Sequence, residues 1–390
     1  MSGARGKDTG LMSVSIVGGP AVAALLHEVG ASQTNRRTGL LTSTNRSTPF
    51  KELTVFPLPP GSDPNRIVDE IRSVAEAGAV DHLIIECEPD RPPMAYASLF
   101  LPGDNAPRSL TEVSRLTATA FAINSAHLLR ALLDRETESE SPSFIAEQIE
   151  FVSDVFLEGA SADGDFELAR SIAQALNPHT RVAPLTHSAV ETWCDLGVTA
   201  FDFNAALAGA GWQRLLDGEP SMRSAEKKIT AFAYRARRPF HPDRFWNLLQ
   251  HQLRDVFRAK GFFWLATRMD GVGGLNLAGS ELHCGTAGEW WAARDERARQ
   301  AEMPERSRKE WREPFGDRRQ SFAIIALDTD RNTLQAQLDA CLLTEAEMAG
   351  GPNNWFHFAD PFPSWSPHAH AHDHACDHDN GSEEHDCCHH

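Results

Sequence analysis

The chain has 390 residues, 41% of them hydrophobic and 23% charged, and its 54 acidic against 37 basic side chains give a formal charge of −17. That length exceeds one ordinary core and predicts two domains and a tail, while the acidity argues against a nucleic-acid backbone as a direct partner. The longest N-terminal apolar stretch, Val14 to Leu26, is broken by Gly18, Gly19 and Pro20, so it cannot span a bilayer, and it lacks a signal-peptide cleavage pattern. Seven cysteines without framework spacing predict reduced thiols and a cytoplasmic protein.

Residues 1–12 are polar and Gly-rich and read as a disordered lead-in. A short buried strand over 13–17 and a helix over 20–29 follow, with Pro20 in the first turn, where its missing N–H does no harm. Strands are then expected at 54–58, 82–87, 116–123, 154–157 and 181–184. Helices fall between them at 64–77, 126–134, 144–152 and 166–176, the first carrying Ile67, Ile71 and Val74 at helical spacing. Alternation at this period predicts a doubly wound α/β domain over 13–216, and the polar segment 217–227 reads as a linker.

From residue 228 the rhythm changes. Strands are expected at 229–234, 261–267 and 322–326, with an amphipathic helix over 242–257 and another over 331–340, which together suggest a compact α+β domain. The highly charged stretch Arg294 to Arg312 reads as a solvated helix or loop. Order is expected to fail after Trp365.

The first strand, turn and helix provide the setting in which exposed N–H groups and a helix dipole would cradle phosphate. The motif is missing: Gly18 and Gly19 are followed by Pro20-Ala21-Val22-Ala23, with no lysine to reach outer phosphates and no hydroxyl to hold magnesium. The glycine pair then reads as a tight turn. Glu86 ends a buried strand where a nucleotide-binding α/β protein places its magnesium-directed carboxylate. A solvated strand end is the plainer reading.

Several motifs along the second half together resemble the CobW family of G3E-type P-loop GTPases, which includes zinc metallochaperones and cobalamin-biosynthesis proteins. They are Tyr234-Arg235-Ala236-Arg237-Arg238-Pro239-Phe240-His241-Pro242, Arg258 to Ala266, Gly288-Glu289-Trp290-Trp291, Phe315 to Gln320, Leu338 to Leu343 and Asp360 to Trp365. The first half is similar more weakly, through Gln148-Ile149-Glu150-Phe151, Leu176-Asn177-Pro178 and Phe201-Asp202. The resemblance implies a P-loop-GTPase-like doubly wound α/β sheet, then a smaller α+β CobW C-terminal domain over 228–365.

In the register of that resemblance, the family's guanine-reading Asn-Lys-x-Asp falls on Glu158, Gly159, Ala160 and Ser161. Its metal-relay Cys-x-Cys-Cys falls in Thr44 to Pro60, which contains no cysteine. With the Walker lysine also absent, three motifs are lost while the scaffold around them is retained. That implies a GTPase-like fold that no longer hydrolyses GTP, for which GTP and magnesium are doubtful cofactors and no catalytic residue is assigned. Arg235, Arg237 and Arg238 read either as a solvated edge or as a partner surface, and the resemblance tips the reading to the surface.

The tail, residues 366–390, is expected to be disordered and to bind metal. His368, His370, His372 and His374 alternate along it, and Cys376, His378, His385, Cys387, Cys388, His389 and His390 follow. Neutral imidazole and thiolate suit zinc, with cobalt or nickel as alternatives. No spacing matches a folded zinc knuckle, so several exchanging sites are expected, unless the tail is merely a solubilising one. The expected function is a CobW-like zinc chaperone, buffer or sensor acting on a client metalloprotein. The alternatives are a zinc-responsive adaptor for a macromolecular partner, conceivably the ribosome, and a weakly active GTP-binding metallochaperone.

Overall fold

Continuous apolar runs can be satisfied only where both faces of a strand are covered, and the first of them, Met12–Gly18 (β1), is buried at every residue. The computed structural model describes residues 11–32, 36–44, 53–101, 110–134, 141–159, 164–195, 200–219, 222–224, 229–251 and 253–365. β1 sits near the middle of a parallel sheet formed with β2 (Thr38–Thr42), β3 (Thr54–Pro57), β4 (His82–Glu86), β5 (Ser114–Asn124), β6 (Asp154–Glu158) and β7 (Arg181–Pro184). Their order is β3-β2-β4-β1-β5-β6-β7. The crossover from β4 to β5 passes over β1, which places the topological switch at the carboxyl end of β1.

The helices between these strands are α1 (Val22–Ala31), α2 (Pro64–Glu76), α3 (Pro93–Ala97), α4 (Ser125–Leu133), α5 (Pro142–Phe151) and α6 (Gly164–Leu176). Next come α7 (His187–Asp195), α8 (Phe203–Ala208) and α9 (Gly211–Asp217). Local chemistry sets several of their starts. Asp63 accepts from Arg66 N ahead of Pro64 in α2, whose Ile67, Ile71 and Val74 are buried at the spacing read from the sequence.

The second sheet is antiparallel: β8 (Met222–Ser224), β9 (Ile229–Ala236), β10 (Val256–Phe263), β11 (Gly271–Ala278), β12 (Glu281–Glu289) and β13 (Gln320–Leu327), in the order β12-β11-β10-β13-β9-β8. Around it lie α10 (Pro242–His251), α11 (Glu296–Glu302), α12 (Glu305–Lys309), α13 (Arg331–Cys341) and α14 (Glu345–Trp355). Three expectations need correction. α10 stops at His251 and β10 begins at Val256, because Leu253 and Val256 continue the helical apolar spacing while the chain has already turned. The β11–β12 hairpin leaves no strand pattern in the sequence because Gly271, Gly273, Gly274, Gly285 and Gly288 dilute its composition. Part of the expected linker forms β8 on the sheet edge. The charged stretch is two short helices, α11 and α12, with no buried residue.

The two sheets share one core: Ile229, Ala231, Phe257, Ala278, Ala323 and Ile325 of the second pack with α4, α5 and α6 of the first. At its centre Arg258 of β10 is fully buried. Its Nε lies 2.6 Å from Glu150 Oε1 and its Nη2 3.0 Å from Oε2, a bidentate pair across the domain boundary. Trp212 Nε1 donates to the same carboxylate and Arg258 Nη1 to Leu277 O, so both partners have further hydrogen bonds. Asn177 Nδ2 fixes the end of α5 by donating to the carbonyls of Ile149, Glu150 and Val152. The β11–β12 turn closes against α4: Gly279 has φ +52, and a Cβ there would stand 2.4 Å from Ala131 O.

Removing one partner of a buried pair leaves an uncompensated charge, so Glu150→Ala or Arg258→Ala should each destabilise the protein by about 3–5 kcal/mol. The double change Glu150→Leu with Arg258→Met should recover most of that loss in thermal unfolding. A double variant no more stable than either single one would show that the pair is not the source.

Candidate functional site

The crevice at the carboxyl end of β1 is the first place to look for a ligand. Only Gly19, Pro20 and Ala21 separate β1 from α1. Gly19 has φ +103, and a Cβ on it would lie 2.4 Å from Ala122 O and 2.7 Å from the Phe121 ring, so the turn is pressed onto β5. Ala21 N–H donates to Ala122 O at 2.9 Å, and no side chain caps α1. A phosphate cradle needs successive outward N–H groups on a wider loop. Here one of those groups is spent on the neighbouring strand.

The other side of the turn is filled as well. Cys87 Cβ and Pro93 Cγ each lie 3.4 Å from where a Gly18 Cβ would be. Tyr96 of α3, 1% exposed, accepts from Glu88 N on its hydroxyl. The Gly18 and Gly19 reading as a tight turn therefore fits the geometry. Glu86 departs from expectation: it is buried, not solvated, and its Oε2 accepts from Thr42 Oγ1 at 2.6 Å. Glu158 is exposed at the end of β6, and its carbonyl accepts from Ser125 Oγ. Ser161 lies outside the described residues.

The buried thiols are held away from the thiolate form that metals prefer. Burial, reinforced by Glu86, pushes Cys87 well above its ordinary value; burial alone takes Cys284 up to about 12, and burial opposed by Arg244 takes Cys341 up to about 11. Among the described residues no group of three or more His, Cys, Asp or Glu is placed to hold a metal ion. The tail ligands His368, His370, His372, His374, Cys376, His378, His385, Cys387, Cys388, His389 and His390 lie outside the described residues.

In the second domain the arginines read as a contact surface lie at or near the surface, Arg235 and Arg237 exposed and Arg238 half-buried, and each is engaged in hydrogen bonds within the chain. Arg235 Nη2 donates to Leu216 O at 2.7 Å, Arg237 pairs with Glu310, and Arg238 Nη1 reaches Leu343 O and Glu345 Oε1, both at 3.1 Å. They tie loops and domains together. Two shallow cavities of about 300 and 470 Å³ flank α13, the first lined by Asp255, Asp328 and Asp330, the second by Arg244, Leu248 and Cys341. The motif residues of this domain are also framework. Gln320 joins Trp264 N, Trp264 O and Arg238 O; Asp317 accepts from Trp291 N and Ala292 N; Asp360 binds Thr267 and Arg268.

Residues 229–342 match the cobalamin synthesis protein cobW C-terminal domain. The chain is CobW-like. A zinc-regulated GTPase metalloprotein activator from Dictyostelium discoideum is 28% identical over 312 residues, 75% of this chain and 66% of its own length. A zinc chaperone from Mycobacterium tuberculosis is 35% identical over 156 residues, 39% of this chain and 38% of its own. The chain thus spans less than two thirds of the length of either relative. The Zn(II)-bound YjiA GTPase of E. coli aligns with 85% of this chain and 99% of its own at 11% identity and a TM-score of 0.37. Among the described residues no helix is long and apolar enough to cross a membrane.

The packed turn makes a direct prediction. Gly19→Ala meets both strain and backbone contact and should cost more than about 1 kcal/mol, whereas Gly61→Ala, at φ +69 in open space, meets strain alone and should cost less. Equal losses in chemical denaturation would mean that the turn is not pressed against β5.

Proposed function

We propose that this CobW-like protein handles zinc as a chaperone or buffer for a client metalloprotein. On this reading metal is held by the His/Cys tail, and the parallel-sheet domain is a scaffold that no longer binds or hydrolyses GTP. The observation that carries the scaffold reading is the β1–α1 turn, closed onto β5 by Gly19 and Ala21, where a phosphate would have to sit. The names of the Dictyostelium and mycobacterial relatives support zinc as the metal. The tail supplies eight histidines and three cysteines from residue 368 onward, and no Lys or Arg. The folded domains offer no comparable set among the described residues.

Calorimetric titration of the full chain with zinc should show more than one equivalent bound, and truncation at Pro367 should abolish that binding. Failure of the full chain to bind zinc more tightly than micromolar would remove the reading. In a separate titration, GTP with magnesium up to millimolar concentration should produce no binding heat. Saturable GTP binding would restore the nucleotide-switched alternative.

A further inference from the structure

β12 is the outer strand of the second sheet, and apart from a bulge between Thr286 and Glu289 and a glutamate at each end it carries none of the devices that usually blunt an edge. Between Glu281 and Glu289 it reads Leu-His-Cys-Gly-Thr-Ala-Gly, with no proline, lysine or arginine and with small residues over most of its length. Such an edge is a template for another extended segment. Its two faces differ. Leu282 and Cys284 pack against the second core, whereas His283 is exposed and opposite Asn276, on the face that carries Arg258.

The chain's own exit point identifies an occupant. Arg268 clasps the last described turn, with Nη1 to Pro363 O and Nη2 to Phe362 O, both at 2.8 Å. Its guanidinium lies 4.3 Å over the Trp365 ring, which also meets Phe263 edge-on at 6.0 Å. A Cβ at Gly271 would touch that ring at 2.8 Å, so the absence of a side chain there makes room for it. Gly271 opens β11 directly opposite Glu289, the last residue of β12. The tail therefore leaves the fold at the far end of the open edge, and a return along that edge would run antiparallel to β12.

Length and pattern suit that path. The nine residues of β12 span roughly 30 Å, and 366–390 could extend well beyond that, at about 3.3 Å per residue. From His368 to His378 every even position is His or Cys, and the odd positions are Ala or Asp. That period of two is a strand pattern with one face made entirely of metal ligands. Resting on the reading of the tail as the zinc site, we propose that zinc folds the tail onto β12 as an added antiparallel strand, with His283 supplying a ligand from the folded domain.

Without metal, the net negative charge of the tail is repelled by Glu281 and Glu289 at the two ends of β12, which opposes docking. Zinc removes that repulsion and bridges imidazoles across the two strands. Opposite side chains on an antiparallel pair stand close enough to share one ion. The register that puts the tail's ligand face beside His283 is favoured because Cys284, on the other face, is already packed against the core.

Hydrogen exchange on the full chain with and without zinc chloride tests this. Amides of 281–289 should exchange more slowly with zinc in the full chain, and not in a chain ending at Trp365. His283→Ala, an exposed change, should erase that slowing and weaken one zinc equivalent by at least about tenfold, the smallest loss usual when even an outer partner of a metal ligand is removed. If the tail binds zinc but β12 exchange is unaltered and His283→Ala titrates like the native chain, docking is refuted and the tail reading stands. If zinc binding does not depend on the tail, both fall. Slowed exchange accompanied by a doubled mass in light scattering would assign the edge to a second copy and also refute docking of the tail.

Discussion

Arg258 of β10 is fully buried, with Glu150 of α5 as its countercharge, and the two residues come from different domains. A guanidinium without a partner at that depth would be prohibitively desolvated, so β10 and α5 must meet, and everything attached to them is placed in consequence. The neighbours reinforce the constraint. Trp212 brings α9 to the same carboxylate, Asn276 brings β11 to the same guanidinium, and the Gly279 turn seats the hairpin on α4. With Phe257, Ala323 and Ile325 inside the first core, the domains are one packed body rather than two joined by a tether.

This constraint accounts for where the motifs of the resemblance fall. The residues that carry the resemblance, Glu150, Asn177, Arg258, Gln320, Asp317 and Asp360, all make internal hydrogen bonds. A change at any one of them removes a bond of the framework. At the carboxyl end of β1, Gly19, Pro20 and Ala21 close the β1–α1 turn compactly without a cradle.

Legibility in the sequence followed the same division. β1, β4 and α2 could be read because burial on both faces or on one helical stripe leaves a periodic apolar signature. The β11–β12 hairpin could not: its interior glycines are required by neighbours, Gly273 by the Phe263 ring and Gly271 by Trp365, and such demands come from residues distant in the chain. At the candidate site the missing motifs were visible, but the burial of Glu86 under Thr42 was not, since β2 carries no alternation that would announce it. The internal hydrogen bonds of Arg235, Arg237 and Arg238 were hidden likewise, because their partners are mostly backbone carbonyls distant in sequence.

Asn177 serves three carbonyl oxygens with one amide nitrogen, at the place where α5 hands the chain to β6. Hydrolysis of that amide would set a carboxylate against three acceptors and undo the joint that holds Glu150 in position. Spontaneous asparagine hydrolysis usually begins with attack by the next residue's backbone nitrogen, and here that residue is Pro178, which has no N–H to lose. The Asn-Pro sequence thus gives this joint a chemical lifetime to match its mechanical importance: a long-lived protein can age elsewhere without its two domains coming apart.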